Sequence, residues 1–134
     1  MNVQAYLAFS GDCMKAMNFY ADCFNAEITN KQTYEDSKMD IPESYRRNLQ
    51  HAELKGKGIH LMAYDAAPDT PLNNGNKIHL AIDIEDRYKA KELFSKLSSG
   101  GQVNHNFSEK EWGAMYGRCT DKFGIHWMVN CDLQ

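Results

Sequence analysis

The sequence predicts an α+β fold made of two βαβββ modules, and two internal matches predict it. A shift of 74 positions superimposes the apolar stripe of a first helix on that of a second. The matched positions are Ala16, Phe19, Tyr20 and Cys23 on Ala90, Leu93, Phe94 and Leu97. A shift of 66 positions superimposes residues 58–62 on residues 124–128, with four of five residues identical. Because both matches occur in the same order, the sequence indicates a duplicated unit within a single domain, residues 1–134.

The first module is predicted over about residues 1–66. Its elements are a strand at 3–9, a helix after Asp12, and strands at 26–34, 48–54 and 58–64. Asp12 is predicted to cap the helix, because its carboxylate can accept hydrogen bonds from free N–H groups of the first turn. Residues 35–47 form a polar loop with one helical turn after Pro42.

A linker is predicted over about residues 67–76, which contain two prolines and an Asn-Gly pair. The second module follows over about residues 77–134. Its elements are a strand at 77–84, a helix between Asp86 and Gly100, and strands at 102–107, 113–120 and 125–131. Asp86 is the predicted cap of this helix, and Gly100 ends it because glycine tolerates the left-handed closing conformation.

The composition excludes several classes of protein. A net charge of −3 argues against a binder of nucleic acid or of anionic membranes, because such a chain attracts few phosphates. No apolar run approaches the roughly 20 residues of a membrane span, and residues 1–5 lack the pattern of a signal peptide. The four cysteines are scattered without metal-binding spacing, which is typical of reduced thiols in a cytoplasmic protein.

Strand alternation separates an apolar face under each helix from a mixed face on the other side. The mixed faces combine imidazole, thioether and phenol groups, which suits the wall of a ligand pocket better than a core. Their residues are His60, Met62 and Tyr64 on strand 58–64, and His126, Met128 and Asn130 on strand 125–131. Alternation on strand 77–84 turns Ile78 towards the helix and His79 towards the pocket, and Trp112 is predicted at the pocket mouth.

Hairpin turns predict which of these residues are cross-strand neighbours. Four-residue turns are expected at 55–58 and at 121–124. The resulting pairs are His51 with Met62, Glu53 with His60, and Cys119 with His126.

Several segments carry a resemblance to a known family. They are Phe9-Ser-Gly-Asp, Met17-Asn-Phe-Tyr, His51-Ala-Glu-Leu, Leu61-Met-Ala-Tyr-Asp, Trp112-Gly-Ala-Met-Tyr-Gly and Thr120-Asp-Lys-Phe-Gly-Ile-His-Trp-Met-Val-Asn. Together they resemble the PhnB-like branch of the glyoxalase/bleomycin-resistance/dioxygenase superfamily, the vicinal oxygen chelate fold. The resemblance implies that the two modules form a curved, mostly antiparallel open sheet around a pocket, usually in a homodimer.

The resemblance also indicates where metal-dependent relatives hold their ion. Those positions fall on Ala5, Met62, His79 and Met128, and only His79 has a side chain that suits a hard or borderline divalent ion. The sequence therefore predicts no cofactor in the usual mode. Some members of the branch carry a ubiquinone-biosynthesis methyltransferase label, but no strand here is followed by a glycine-rich loop that would hold S-adenosylmethionine.

Three functional hypotheses follow. The first is a metal-free pocket that binds a small, partly apolar or aromatic molecule. Its predicted binding residues are His60, Met62, Tyr64, His79, Trp112, His126 and Met128. The second is a lyase, isomerase or dioxygenase with a divalent metal relocated to His51, Glu53 and His60. The third is a cofactor-free acid–base enzyme that uses His79 or His126.

Two further expectations accompany these hypotheses. Cys119 beside His126 is a candidate nucleophile, although a small buried thiol is the simpler interpretation. The expected partners are a small-molecule ligand and a second copy of the chain, because an open sheet of this size leaves an edge to cover.

Overall fold

The computed structural model describes residues 1–133, and of residue 36 only the main chain. Residue 134, the predicted last residue of the second module, lies outside the described residues. The chain divides into two compact units, Met1–Asn73 and the part from Asn74 onward. This boundary falls inside the predicted linker at 67–76.

The first unit has the predicted βαβββ order. Its elements are β1 (Tyr6–Phe9), α1 (Cys13–Phe24), β2 (Glu27–Thr33), β3 (Leu49–Gly56) and β4 (Ile59–Asp65). The strands form a sheet of order β1-β4-β3-β2, in which β1 runs parallel to β4 and the other pairs are antiparallel. Two short 3-10 helices follow β2. Glu43–Tyr45 is the turn predicted after Pro42, whereas Tyr34–Asp36 was not predicted and begins one residue before the predicted loop.

The second unit repeats the same order. Its elements are β5 (Leu80–Asp83), α2 (Arg87–Ser98), β6 (Gln102–Lys110), β7 (Ala114–Thr120) and β8 (His126–Asp132). The sheet order is β5-β8-β7-β6, again with a single parallel pair, β5 with β8. The predicted α+β fold of two βαβββ modules is confirmed.

Helical spacing determines which side of each helix is buried. α1 buries Cys13, Ala16, Met17 and Tyr20. α2 buries Ala90, Leu93, Phe94 and Leu97. These stripes pack on β3 and β4 in the first unit, and on β7 and β8 in the second. Across residues 1–133, no helix combines the length and the apolar character that a membrane crossing requires.

The start of α1 corrects the sequence prediction, because the Asp12 side chain makes no capping hydrogen bond. Asp65, at the end of β4, takes that role from across the unit. Its Oδ1 accepts hydrogen bonds from the main-chain N–H of Gly11 (2.8 Å) and of Cys13 (2.9 Å), and its Oδ2 accepts one from Leu49 N–H (2.9 Å). Asp65 is 1% exposed, so one buried carboxylate ties α1, β3 and β4 together.

The start of the second unit shows one success and one error. Asp86 caps α2 as predicted, since its carboxylate accepts from the N–H groups of Tyr88 (2.9 Å) and Lys89 (3.0 Å). The prediction that Ile78 faces the helix is wrong, because Ile78 is 80% exposed. β5 starts only at Leu80, which pairs with Trp127, the second residue of β8. Residue 78 lies before this paired segment and therefore has no strand beside it.

Candidate functional site

The first sheet has one face that α1 covers and one that it leaves uncovered. Buried residues of β3 and β4 point towards α1 and alternate with partly exposed ones. We call the uncovered surface the open face, and the side chains at its centre are Tyr6, Asn30, His51, Glu53, His60, Met62 and Tyr64. Gln32, Glu27 and Lys55 lie on the same face around them. The structure thus places His60, Met62 and Tyr64 together, on the face that alternation predicted.

The hairpin between β3 and β4 is tighter than the sequence indicated. Its turn contains residues 57 and 58, where four residues at 55–58 were predicted. The predicted cross-strand pairs are therefore wrong: Glu53 lies opposite Met62, so neither Glu53 with His60 nor His51 with Met62 is a direct pair. A register change of two positions keeps every side chain on its face, so Glu53 and His60 become diagonal neighbours and still meet.

Glu53 is the centre of a polar cluster on the open face. Its Oε1 accepts a hydrogen bond from His60 Nε2 at 3.0 Å, and its Oε2 accepts one from Asn30 Nδ2 at 3.0 Å. His51 Nε2 lies 3.5 Å from the same Oε2. The Glu53 side chain is only 18% exposed, so three neighbouring side chains replace much of its hydration.

These contacts lower the pKa of Glu53 to about 2 from an ordinary value of 4.5. The hydrogen bond from Asn30 is the largest cause and that from His60 the next, while burial acts in the opposite direction. An ionised carboxylate can only accept, so both imidazoles present an N–H to it.

The Tyr6 hydroxyl hydrogen-bonds His51 Nδ1. Burial, followed by the nearby groups Cys13, Tyr64 and Glu53, raises the pKa of Tyr6, so the phenol keeps its proton. The Tyr6 ring also meets the Tyr64 ring edge to face, with centroids 5.3 Å apart. The open face therefore joins a continuous chain, Tyr6–His51–Glu53–His60, to an aromatic pair.

In the second unit, the two predicted histidines lie side by side, with ring centroids 5.1 Å apart. His126 uses both nitrogens: Nε2 donates to Gly75 O at 2.5 Å, and Nδ1 lies 2.9 Å from Thr120 Oγ1. His79 donates from Nε2 to Asn76 O at 3.2 Å, but its buried Nδ1 has no hydrogen-bond partner among the described residues. A base in this unit would therefore be His79, and that role stays a prediction.

The predicted pairing of Cys119 with His126 is wrong. The loop between β7 and β8 contains five residues, 121–125, where four were predicted. An odd difference moves side chains to the opposite face. Cys119 therefore lies opposite Trp127, is 1% exposed and belongs to the core, whereas His126 lies opposite Thr120.

The remaining predicted binding residues also lie in the second unit. Met128 is partly exposed on β8, on the same face as His126. Trp112 lies in the turn before β7, is 65% exposed, and meets Tyr116 edge to face at 5.9 Å. The predicted binding set is thus divided, with His60, Met62 and Tyr64 in the first unit and the other four residues in the second.

Comparison with known proteins decides the family. The sequence matches the 3-demethylubiquinone-9 3-methyltransferase family over residues 1–130. The chain belongs to this family. The predicted PhnB-like branch of the glyoxalase/bleomycin-resistance/dioxygenase superfamily is confirmed.

Relatives of this PhnB-like chain align over nearly its whole length. Protein YjdN of Escherichia coli is 28% identical over 97% of this chain and 95% of its own. The crystal structure of PA1353 from Pseudomonas aeruginosa is similar at 29% identity, with a TM-score of 0.88 and 98% of both chains covered. The PhnB protein of Bacillus cereus shares the fold at 22% identity and a TM-score of 0.84, over 98% of this chain and 99% of its own.

The ligand positions that metal-dependent members of the superfamily use do not fit a divalent ion in this PhnB-like chain. Ala5 offers only its main-chain oxygen, which already accepts from Met62 N–H at 3.3 Å. The thioethers of Met62 and Met128 are soft donors, poorly matched to the hard or borderline ions of such sites. His79 alone does not make a site.

The relocated metal set gains no support from the geometry. His51 Nε2 and His60 Nε2 contact the Glu53 carboxylate directly, at 3.5 Å and 3.0 Å. Among residues 1–133, no group of three His, Cys, Asp or Glu side chains is arranged to hold a metal ion.

Two residues of the open face were missed in the sequence, Tyr6 and Asn30. Both lie on edge strands, and the register of each strand against its neighbour brings them to the cluster: Tyr6 opposite Met62 and Asn30 opposite Glu53. A signal was available for Tyr6, since its phenol is the first aromatic side chain of the predicted strand at 3–9.

Glu53→Gln is expected to reduce the dependence of the free energy of unfolding on pH below about pH 4.5. Because the folded pKa lies below the ordinary value, the ionised carboxylate stabilises the fold above pH 4.5, and this contribution disappears as the pH falls towards 2. The wild-type protein should therefore lose more stability than the variant over this interval, measured as urea midpoints. Equal losses in the two proteins would contradict the hydrogen-bonded arrangement of Glu53.

Proposed function

We propose that this protein binds a small, partly apolar or aromatic molecule on the open face of its first unit, and that binding needs no metal ion. One observation carries the proposal. An aromatic pair, Tyr6 and Tyr64, with Met62 beside it, lies next to a hydrogen-bonded polar cluster on a face that α1 does not cover.

The two parts of this surface have complementary roles. Tyr6 is 46% exposed and Tyr64 partly exposed, so their rings offer apolar area to a ligand. Met62 is unbranched and polarisable, and adapts to ligands of different shape. The polar cluster orients the ligand, because a few placed polar groups on a mostly apolar surface provide specificity.

The metal-free part of the proposal rests on donor chemistry. Thioethers stand at two of the inherited ligand positions and an alanine at a third, so a hard divalent ion finds too few oxygen or nitrogen donors there. The imidazoles of His51 and His60 already contact Glu53, so we assign them a role in ligand contact and not in metal binding.

Ligand screening with NMR tests this function. We expect aromatic fragments to shift the signals of Tyr6, the Met62 methyl group and Tyr64, and to raise the melting temperature. A ligand at 100 times its dissociation constant adds about 2.7 kcal/mol of stability. Tyr64→Ala should weaken binding at least several-fold, whereas Tyr88→Ala, the same change at an exposed position of α2, should not.

Chelation separates the metal-free proposal from the metal alternative. Dissociation constants should be the same in EDTA and in added Mn²⁺, Ni²⁺ or Zn²⁺. Binding that requires a divalent ion would overturn the metal-free part, and fragments that shift signals elsewhere but never on the open face would overturn the site.

A further inference from the structure

We propose that the open face selects ligands that carry a protonated amine on an apolar or aromatic body. The inference rests on the proposed function and names the chemical class of its ligand. Three features of the face support it: acceptor atoms that can still bind a donor, the Glu53 carboxylate, and the orientation of the rings.

The acceptors at the centre of the cluster are not exhausted. The Tyr6 hydroxyl hydrogen-bonds His51 Nδ1, and His51 and His60 each direct Nε2 towards Glu53. The Tyr6 oxygen and both oxygens of the Glu53 carboxylate keep lone pairs beyond these contacts and the hydrogen bond from Asn30. A ligand satisfies these acceptors by donating, and an ammonium group is the donor with the most N–H bonds to give.

The charges of the face favour the same ligand. Glu53 carries a negative charge at the centre of the cluster, because the hydrogen bonds from Asn30 and His60 lower its pKa to about 2. Glu27 and Lys55, which alternation places on the same face, lie opposite each other across β2 and β3, so their charges offset. On β1 and β4 this face carries no Asp, Glu, Lys or Arg side chain among the described residues. The Glu53 carboxylate is therefore the acidic group of the cluster, and it attracts a cation.

The ring geometry adds a third contribution. The rings of Tyr6 and Tyr64 meet edge to face, with planes inclined at 77°, so a ligand finds at least one ring face beside the cluster. The face of an aromatic ring attracts a cation within about 6 Å of its centroid. A carboxylate in the same place would meet the Glu53 charge, the acceptor lone pairs and a ring face, all unfavourable to an anion.

Three probes of nearly identical shape test this inference: benzylammonium, benzyl alcohol and benzoate. Each is titrated into the protein, and the NMR signals of Tyr6, His51 and His60 report binding at the open face. We expect benzylammonium to bind at least five-fold more tightly than benzyl alcohol, and benzoate to bind most weakly. The preference for the cation should shrink as NaCl is raised to about 1 M, because salt screens charge.

Two isosteric variants locate the source of the preference. In Glu53→Gln the affinity for benzylammonium should fall to that for benzyl alcohol. Glu92→Gln, the same chemical change at an exposed position of α2, should alter each affinity less than two-fold. Amide NMR spectra of both variants establish that they are folded, and the salt titration of the wild-type protein gives an answer that requires no variant.

The outcomes separate this inference from the proposed function. Equal binding of all three probes on the open face, or tighter binding of benzoate, overturns the selection of amines and leaves the proposed function standing. If no probe and no apolar fragment shifts the signals of the open face, both fail. A cation preference that Glu53→Gln leaves intact assigns the selection to other groups and overturns the role of Glu53.

Discussion

Asp65→Asn is expected to lower the free energy of unfolding by about 3 kcal/mol, and Asp65→Ala by about 5 kcal/mol. The wild-type carboxylate accepts three main-chain hydrogen bonds in the interior, from Gly11, Cys13 and Leu49. Asparagine keeps one acceptor oxygen, but its NH₂ group then faces a buried N–H donor. Alanine leaves all three donors without a partner, which is an exceptional cost for one substitution.

Urea unfolding monitored by circular dichroism measures the effect, with Asp12→Asn as the matched control. Asp12 stands at the N-terminus of α1 but makes no capping bond, so its substitution should stay within about 0.5 kcal/mol. Amide hydrogen exchange provides a second readout: protection should drop at Gly11, Cys13 and Leu49 in Asp65→Asn. If Asp12→Asn costs more than Asp65→Asn, the long-range cap is not what stabilises α1.

The two helix caps show how far the sequence predicts this fold. Asp86 was found because a local cap acts within three residues, and its carboxylate does reach Tyr88 and Lys89. Asp12 has the same local signature, yet Asp65 replaces it from 52 residues away along the chain. Nothing in a local pattern reports such a partner, because it depends on where β4 ends relative to α1.

The two hairpins show why part of the site was predictable. An error of two residues in the predicted length of a turn leaves each strand residue on its predicted face, whereas an error of one residue moves it to the opposite face. The first error left Glu53 and His60 in contact, so that grouping was recovered even though the register was wrong. The second error paired Cys119 with the wrong residue and suggested a nucleophile beside His126 that the fold does not contain.

Tyr6 is noticeable as an aromatic residue of the predicted strand at 3–9, but neither argument predicts which residue lies opposite it. β1 joins β4 as a parallel strand, and no hairpin turn connects the two to set their register. The residue opposite Met62 therefore depends on how α1 packs, which the sequence pattern does not specify. The position of Asn30 was not predictable either. A register shift in β2 between Ile28 and Asn30 interrupts the alternation of faces, so counting from the start of the strand does not give the face of Asn30.

Asp121→Asn is expected to cost about 2 to 3 kcal/mol in the second unit. The Asp121 carboxylate is 3% exposed and closes the β7–β8 loop, since Oδ1 accepts from the N–H groups of Phe123 (2.8 Å) and Ile125 (3.1 Å). Its Oδ2 accepts from the indole Nε1–H of Trp127 at 2.8 Å. An asparagine whose oxygen keeps the two main-chain bonds turns its NH₂ group against that indole donor.

A double-mutant cycle with Trp127→Phe isolates this contact. Phenylalanine removes the indole N–H, so Asp121→Asn should cost about 1 kcal/mol less in the Trp127→Phe background than in the wild type. In the single variant the Nε1–H signal of Trp127 should move in the NMR spectrum, while that of exposed Trp112 stays in place and serves as the internal control. Additive energies would mean that the carboxylate stabilises the unit through the loop alone. A coupling of the expected size would show that the residue that closes the five-residue loop also anchors the buried tryptophan, so that the loop and the core of the second unit are stabilised together.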